Sequence, residues 1–161
     1  MSDSSAANKI SVTASFPGYN NRLLVSLFLG NIALFQVYSG FTGILMPYMV
    51  QAADPANKVV NLAIVTGISA IFATVFNPLG GAWSDRTRTR WGRRTPWLVG
   101  AAIATLLGSI FLGLQTMIVG ILIGWCLVQG TGNIFQAAIT GIVPDRVPPK
   151  KRGTASAIAG L

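Results

Sequence analysis

The chain of 161 residues contains no histidine, one cysteine and four acidic residues, all of them aspartate. Without histidine, the chain cannot form a Ser-His-Asp or Cys-His catalytic arrangement. With Cys126 alone, it cannot close an internal disulfide, and a zinc site would lack its usual ligands. We therefore expect no enzymatic activity, no bound metal and no cofactor.

Charged residues are also scarce. They make up 10% of the chain, whereas 52% of the residues are hydrophobic; ordinary soluble domains carry about 25% charged residues. The net charge of +8 could suggest nucleic-acid binding, but that function needs a basic face on a soluble fold. Here the basic residues occupy short gaps between long uncharged runs. This distribution excludes a nucleic-acid partner and favours a protein embedded in the lipid bilayer.

Three long runs contain no charged residue: residues 23–50, 59–83 and 95–144. A helix needs about 20 apolar residues to cross the hydrocarbon core. The third run is long enough for two helices joined by a turn, and its most polar short segment is Gly-Leu-Gln-Thr at 113–116. We predict an all-α polytopic membrane protein, with helices at about 23–50, 59–83, 95–114, 117–143 and from 153 onward.

The two ends of the chain lead to different predictions. Residues 1–22 are polar and lack the apolar core of a cleavable signal peptide, so we interpret them as a polar tail. The last apolar stretch, 153–161, is too short to span a bilayer. We therefore expect residues 23–161 to be a truncated N-terminal bundle that stops inside its fifth helix.

Positive charge is concentrated in alternate connections. Five arginines lie within residues 86–94 and four basic residues within 146–152, whereas the first connection has only Lys58, balanced by Asp54. Because Lys and Arg mark cytoplasmic loops, we predict a multi-pass cell-membrane protein whose N-terminus and arginine cluster face the cytoplasm. Fixing the topology is by itself a sufficient role for this cluster.

Polar side chains share one face of the first and fourth predicted helices. An amide placed in hydrocarbon without a partner costs roughly 2–7 kcal/mol, so these groups must face protein or water. Two interpretations stay open: hydrogen bonds between helices, or a water-filled cavity that binds a polar solute. The candidates for such a cavity are Asn31, Gln36, Tyr38, Gln129, Asn133 and Gln136.

Two loop sequences resemble those of a known family. Residues 81–86 read Gly-x-x-x-Asp-Arg and residues 92–94 read Gly-Arg-Arg. This pattern resembles the loop signature of the major facilitator superfamily, and its five-residue spacer is similar to that of the glycoside-pentoside-hexuronide symporters and sucrose-type transporters. The segment that begins Pro-Asp-Arg at 144 resembles the loop between helices four and five of such carriers.

The resemblance implies a carrier of twelve helices in two bundles, which transports a small polar solute by alternating access. It also implies that Asp85 lies near the N-terminus of a helix in the other bundle, where the helix dipole favours a carboxylate. Neighbouring arginines would add charge-assisted hydrogen bonds and close the cytoplasmic side. The implied gate residues are Gly81, Asp85, Arg86, Gly92, Arg93 and Arg94; we expect Gly81 to allow close backbone approach, and Arg88 and Arg90 to fix topology only.

The sequence departs from the family pattern at the places where ion coupling usually lies. Where proton antiporters often carry an arginine three residues before a Gln-Gly pair, this chain has Cys126. No predicted span contains Asp, Lys or Arg, although intramembrane charge usually carries coupling. Either a missing C-terminal half couples transport to a cation or proton, or the carrier is a facilitator.

A neutral, hydroxyl-rich solute such as a sugar would fit the amide-lined faces. The rival interpretation is a small multi-spanning scaffold or partner protein without transport activity.

Overall fold

The computed structural model describes residues 21–147 and 152–159, and within these ranges it contains helices and no strand. The first three helical elements follow one another without a break. The elements are α1 (Asn21–Gly40), a π-helical turn (Phe41–Leu45), α2 (Met46–Ala53), α3 (Lys58–Arg86), α4 (Thr95–Gly113), α5 (Ile118–Arg146) and α6 (Arg152–Ala159).

Four helical segments are long and apolar enough to cross a membrane, which confirms the predicted all-α membrane class. Large apolar side chains such as Ile103, Leu106 and Leu107 are more than half exposed along α4, as expected where a helix faces lipid rather than water. The four segments are Arg22–Ala53, Lys58–Arg86, Thr95–Gly113 and Ile118–Arg146.

The first span is longer than predicted and contains an irregular turn. The Met46 N–H bonds to the Phe41 carbonyl, five residues back, which is the π-helical pattern. Pro47 follows directly, and a proline has no N–H to donate to the carbonyl four residues before it. The wider turn thus accommodates the proline while the helix continues to Ala53.

The charged ends of α3 and α5 also lie beyond the predicted boundaries of 83 and 143. Both helices continue through an Asp-Arg pair, Asp85-Arg86 and Asp145-Arg146, before the backbone becomes extended at Thr87 and Val147. At 147 the extended backbone has a local reason, because residue 148 is a proline and disfavours helix in the residue before it. Both carboxylates are therefore held on helical turns rather than on loops.

The central helix is α5, which packs along both α3 and α4. Small residues permit this packing. A Cβ added at Gly80 would lie 2.8 Å from the Ile134 Cα, and one added at Gly124 would lie 2.9 Å from the Leu112 Cα. We expected the close approach at Gly81, but a Cβ there would meet nothing within 4 Å among the described residues.

Two apolar clusters hold the ends of the bundle. One lies near the uncharged turn after α4 and is centred on Trp125, which is 2% exposed and packs beside Phe41. The other, Leu27, Ile139, Val143 and Val147, lies beside the charged ends of α3 and α5. Of the predicted tail 1–22, only Asn21 and Arg22 are described, and both are helical.

Candidate functional site

Four charged side chains meet at one end of the bundle. Asp85 ends α3, Arg93 and Arg94 precede α4, and Asp145 ends α5. Three ion pairs join them at 2.7–2.8 Å: Arg94 with Asp85, Arg94 with Asp145, and Arg93 with Asp145. We call these four residues the charge network; it connects three consecutive helices, and its two aspartates are 60 residues apart in the sequence.

Arg94 is the centre of the charge network. Its Nη2 donates to Asp85 Oδ1, its Nε donates to Asp145 Oδ2, and its Nη1 donates to the buried Ser84 Oγ at 3.2 Å. The planar guanidinium presents several donors in fixed directions, so one side chain satisfies both carboxylates. The Arg94 side chain is only 11% exposed, and its guanidinium occupies the space where a Cβ on Gly141 would lie.

Arg93 has a more peripheral position. Its side chain is 43% exposed, and its Nη2 lies 2.7 Å from Asp145 Oδ2 and 3.7 Å from Asp85 Oδ1. The hydrogen bond to Asp145 raises the pKa of the Arg93 guanidinium further above its usual value. Arg93 therefore stays positively charged and pairs with the Asp145 carboxylate from the solvent side of the charge network.

The turn before the two arginines depends on glycine. Gly92 has a φ of +95°, a backbone conformation that side chains with a Cβ rarely adopt. The turn is closed by the Gly92 N–H to the Thr89 carbonyl at 3.0 Å, and by Thr89 Oγ1 donating to the Gly92 carbonyl at 2.6 Å. Trp97 Nε1 donates to Thr87 Oγ1 at 2.7 Å, which ties the loop to α4.

The predicted gate residue Arg86 lies outside this network, and so do Arg88 and Arg90, which were expected to fix topology only. Arg86, Arg88 and Arg90 are exposed, and no ion pair or hydrogen bond joins their side chains to another residue within 21–147 and 152–159. Asp85 itself is 54% exposed, and its ion pairs use Oδ1 only. Its other oxygen faces no hydrogen-bond donor in the described part of the chain.

Sequence reasoning missed Asp145 as a site residue. A signal for it was present, because Asp-Arg at 145–146 repeats Asp-Arg at 85–86, each pair following a long apolar run. The repeat indicates two equivalent helix ends, and Arg94 joins them.

A second group of polar side chains joins three of the spans; two of its members are half-buried and one, Asn77, is exposed. Asn133 Nδ2 donates to the Tyr38 hydroxyl at 3.2 Å, and Asn77 Nδ2 donates to Asn133 Oδ1 at 3.3 Å. We call these three residues the polar network; they join α1, α3 and α5. Tyr38 and Asn133 were predicted as cavity candidates, whereas Asn77 was not.

The other cavity candidates do not join the polar network. Asn31 is buried, and its Nδ2 donates to the Leu27 carbonyl at 3.3 Å, while its Oδ1 has no partner among the described residues. Gln36 is exposed, and Gln129 and Gln136 are half-buried. Within the described ranges, the side-chain amides of these three glutamines make no hydrogen bond, and no three metal-ligating side chains come together.

Four apolar spans, with a charge network at one end and a polar network between the spans, are the features of a polytopic membrane protein. The chain belongs to the Major Facilitator Superfamily, whose family model matches residues 6–161. The resemblance seen in the loop at 81–94 is thereby confirmed.

Proteins similar to this chain include sugar transporters and a symporter. The chain is 36% identical over 96 residues to the human Proton-associated sugar transporter A, covering 60% of this chain and 12% of that protein. It is 38% identical over 71 residues to the mouse protein of that name, which covers 44% of this chain and 9% of the mouse protein.

An uncharacterized symporter from Synechocystis is 53% identical over 36 residues, covering 22% of this chain and 7% of that protein. The chain thus matches only a small part of each relative's length. No solved structure matches the chain.

Proposed function

We propose that the chain forms part of a secondary transporter that carries a small polar solute, with a sugar as the favoured class, by alternating access. Membership of the family supports membrane transport in general. The sugar class draws support from the names of the human and mouse relatives. The other half of the carrier is proposed to be a second bundle beyond the residues of this chain.

The observation that carries the proposal is the polar network. Its three members come from three spans and join amide and hydroxyl groups, with Tyr38 and Asn133 half-buried and Asn77 exposed among apolar side chains. Amides and hydroxyls both donate and accept hydrogen bonds, as the hydroxyls of a sugar require. A neutral solute also suits a site whose described neighbourhood holds no charged side chain.

The charge network is proposed to serve the conformational change in two ways. Inside this bundle, Arg94 holds the ends of α3 and α5 together, so the helices move as one body, as rocking of one bundle against another requires. Toward the second bundle, the exposed Asp85 carboxylate meets a helix N-terminus and closes the cytoplasmic side. Arg86 is the second proposed gate contact, because it is exposed and unpaired in the described structure.

We propose that the site that couples transport to a proton or cation lies outside these spans. The relatives are named proton-associated and symporter, but the spans described here hold no acidic or basic side chain away from their ends. A proton or cation would therefore bind in the second bundle.

The test is uptake of radiolabelled sugars by cells that express the transporter. We expect Asn133→Ala to raise the KM for the transported sugar about 5- to 30-fold, since one hydrogen bond in a half-buried site is worth about 1–2 kcal/mol. The matched control is Gln36→Ala, which removes an exposed amide from α1 and should leave the KM unchanged. If no sugar or other polar solute shows saturable uptake, the chain is a scaffold and the proposal is wrong.

A further inference from the structure

A groove opens between the arginine-rich loop and the first half of α4. Its volume is about 450 Å³, and residues that line it include Thr87, Thr89, Trp97, Gly100, Ala104 and Ile134. Below the two threonines its walls are almost entirely apolar, and no charged residue lines it. We call it the α4 groove; it runs from the charged loop toward the apolar middle of the bundle.

Two arginines that make no ion pair with the described residues lie next to the mouth of the α4 groove in the chain. Arg88 and Arg90 flank Thr89 in the chain, and both are exposed without an ion pair in the described ranges. The nearest carboxylate in the sequence, Asp85, is already paired with Arg94. The five arginines of the loop region thus divide into two that neutralise aspartates and three whose charge is free to attract an anion.

Aromatic side chains place this mouth at the level of the lipid headgroups. Trp83 and Trp97 stack with ring centroids 5.7 Å apart beside the groove, and Trp91 is 74% exposed on the loop. Tryptophan is enriched at membrane–water interfaces, because its ring is apolar and its N–H is polar.

We propose that the α4 groove binds an anionic phospholipid, with an acyl chain along Gly100 and Ala104 and the phosphate at Arg88 and Arg90. An acyl chain matches the uncharged walls, and a phosphate matches the positive charge of the two exposed arginines. The site is separate from the charge network and from the polar network. Because it needs only the membrane location of the chain, it does not depend on the proposed sugar transport.

The experiment is native mass spectrometry of the purified 161-residue chain, titrated with phosphatidylglycerol and, separately, with phosphatidylcholine. We expect preferential binding of phosphatidylglycerol. Arg88→Gln/Arg90→Gln should weaken its binding about 30-fold, since each arginine near an anionic headgroup contributes roughly fivefold. The control Arg22→Gln/Arg146→Gln removes two exposed arginines from the same end of the bundle and should change the binding constant much less.

A second pair of variants tests the groove itself. A Cβ at Gly100 or at Gly67 would meet nothing within 4 Å among the described residues, so the two positions are matched sites for a larger side chain. Gly100→Leu would fill the α4 groove and should weaken phosphatidylglycerol binding severalfold, whereas Gly67→Leu on α3 should not.

Equal binding of the two lipids by the unmodified chain would overturn the proposal. If both arginine double variants lose the same affinity for phosphatidylglycerol, the lipid is attracted by the overall positive charge at this end of the bundle. Arg88 and Arg90 would then form no specific site, and the proposal would be wrong. Unchanged binding in Gly100→Leu would show that no acyl chain occupies the groove.

Discussion

Arg93 and Arg94 are neighbours in the chain but have different surroundings. Arg94 is 11% exposed and bonds to two aspartates and a serine, whereas Arg93 is 43% exposed and has its short contact with Asp145 alone. An ion pair in water contributes little, whereas a buried charge left without its partner is costly. The stability of this end of the bundle therefore depends mainly on Arg94.

We predict that Arg94→Gln destabilises the bundle by about 2–4 kcal/mol, because two carboxylates lose their shared donor. Arg93→Gln should cost less than about 1 kcal/mol. Thermal unfolding in detergent measures both variants under the same conditions. Equal losses in the two variants would contradict the assignment of Arg94 as the centre.

Asp54 provides a pH-dependent contact at the opposite end of the bundle. It accepts hydrogen bonds from the backbone and side chain of Asn57 and from the Asn61 amide at 2.9–3.1 Å. The side-chain bond from Asn57 lowers the pKa of Asp54 below its usual 3.8. A lowered folded-state pKa means that the stabilisation is complete above pH 3.8 and is lost as the pH falls through the folded-state value.

We therefore predict that the connection between α2 and α3 loosens at acid pH. Amide hydrogen-exchange protection of residues 57–61, corrected for intrinsic exchange, should be constant near neutral pH and fall below about pH 4. In Asp54→Asn the protection should be lower and independent of pH in this range. A pH-dependent loss that persists in Asp54→Asn would assign the effect to another group.

At the scale of the helices, the sequence predicted the number of spans because length and apolarity decide which segments enter a bilayer. It did not predict where α3 and α5 end. A prediction from hydropathy ends each span near the first charged residue. The helical backbone hydrogen bonds, however, continue through Asp85-Arg86 and Asp145-Arg146. The π-helical turn before Pro47 was also missed, since a proline in an apolar run is compatible with a kink, a break or a wider turn.

The adjacent glycines of α3 give a prediction at this scale. Gly80→Ala should destabilise the bundle by roughly 1–3 kcal/mol, because its Cβ would lie 2.8 Å from the Ile134 backbone and push α5 away. Gly81→Ala should be neutral or stabilise the helix by up to about 1 kcal/mol, since its Cβ meets open space. Unfolding in detergent compares the two variants.

The same pair of variants separates folding from gating. If Gly81 contacts a second bundle, as the resemblance of the loop implies, Gly81→Ala reduces sugar uptake although it does not lower the stability of this chain. Full uptake by a stable Gly81→Ala variant would remove Gly81 from the gate.

At the scale of the whole molecule, the polar residues show that helical periodicity alone does not predict which helices contact each other. Helical spacing placed Asn133 on a polar face of the fourth span, but spacing does not say which helix that face meets. Its partners are Tyr38, 95 residues away, and Asn77, 56 residues away. Gln36, a predicted cavity candidate just beyond the polar half of the first span, is exposed and outside the network.

The charge network shows the same limit. The loop signature predicted that Asp85, Arg93 and Arg94 act together, because the family pattern names them. The sequence could not predict that the partner is Asp145, since only the packing of α3 and α4 against α5 brings the two helix ends together.

The central claim is that the spans cross the bilayer with the charge network on the cytoplasmic side, and labelling of single cysteines tests it most directly. In a Cys126→Ser background, Arg88→Cys and Lys58→Cys are each exposed to a membrane-impermeant maleimide in intact cells. We expect labelling at position 58, and at position 88 only after the membrane is permeabilised. Labelling at position 88 in intact cells, or at neither position after permeabilisation, would contradict the account.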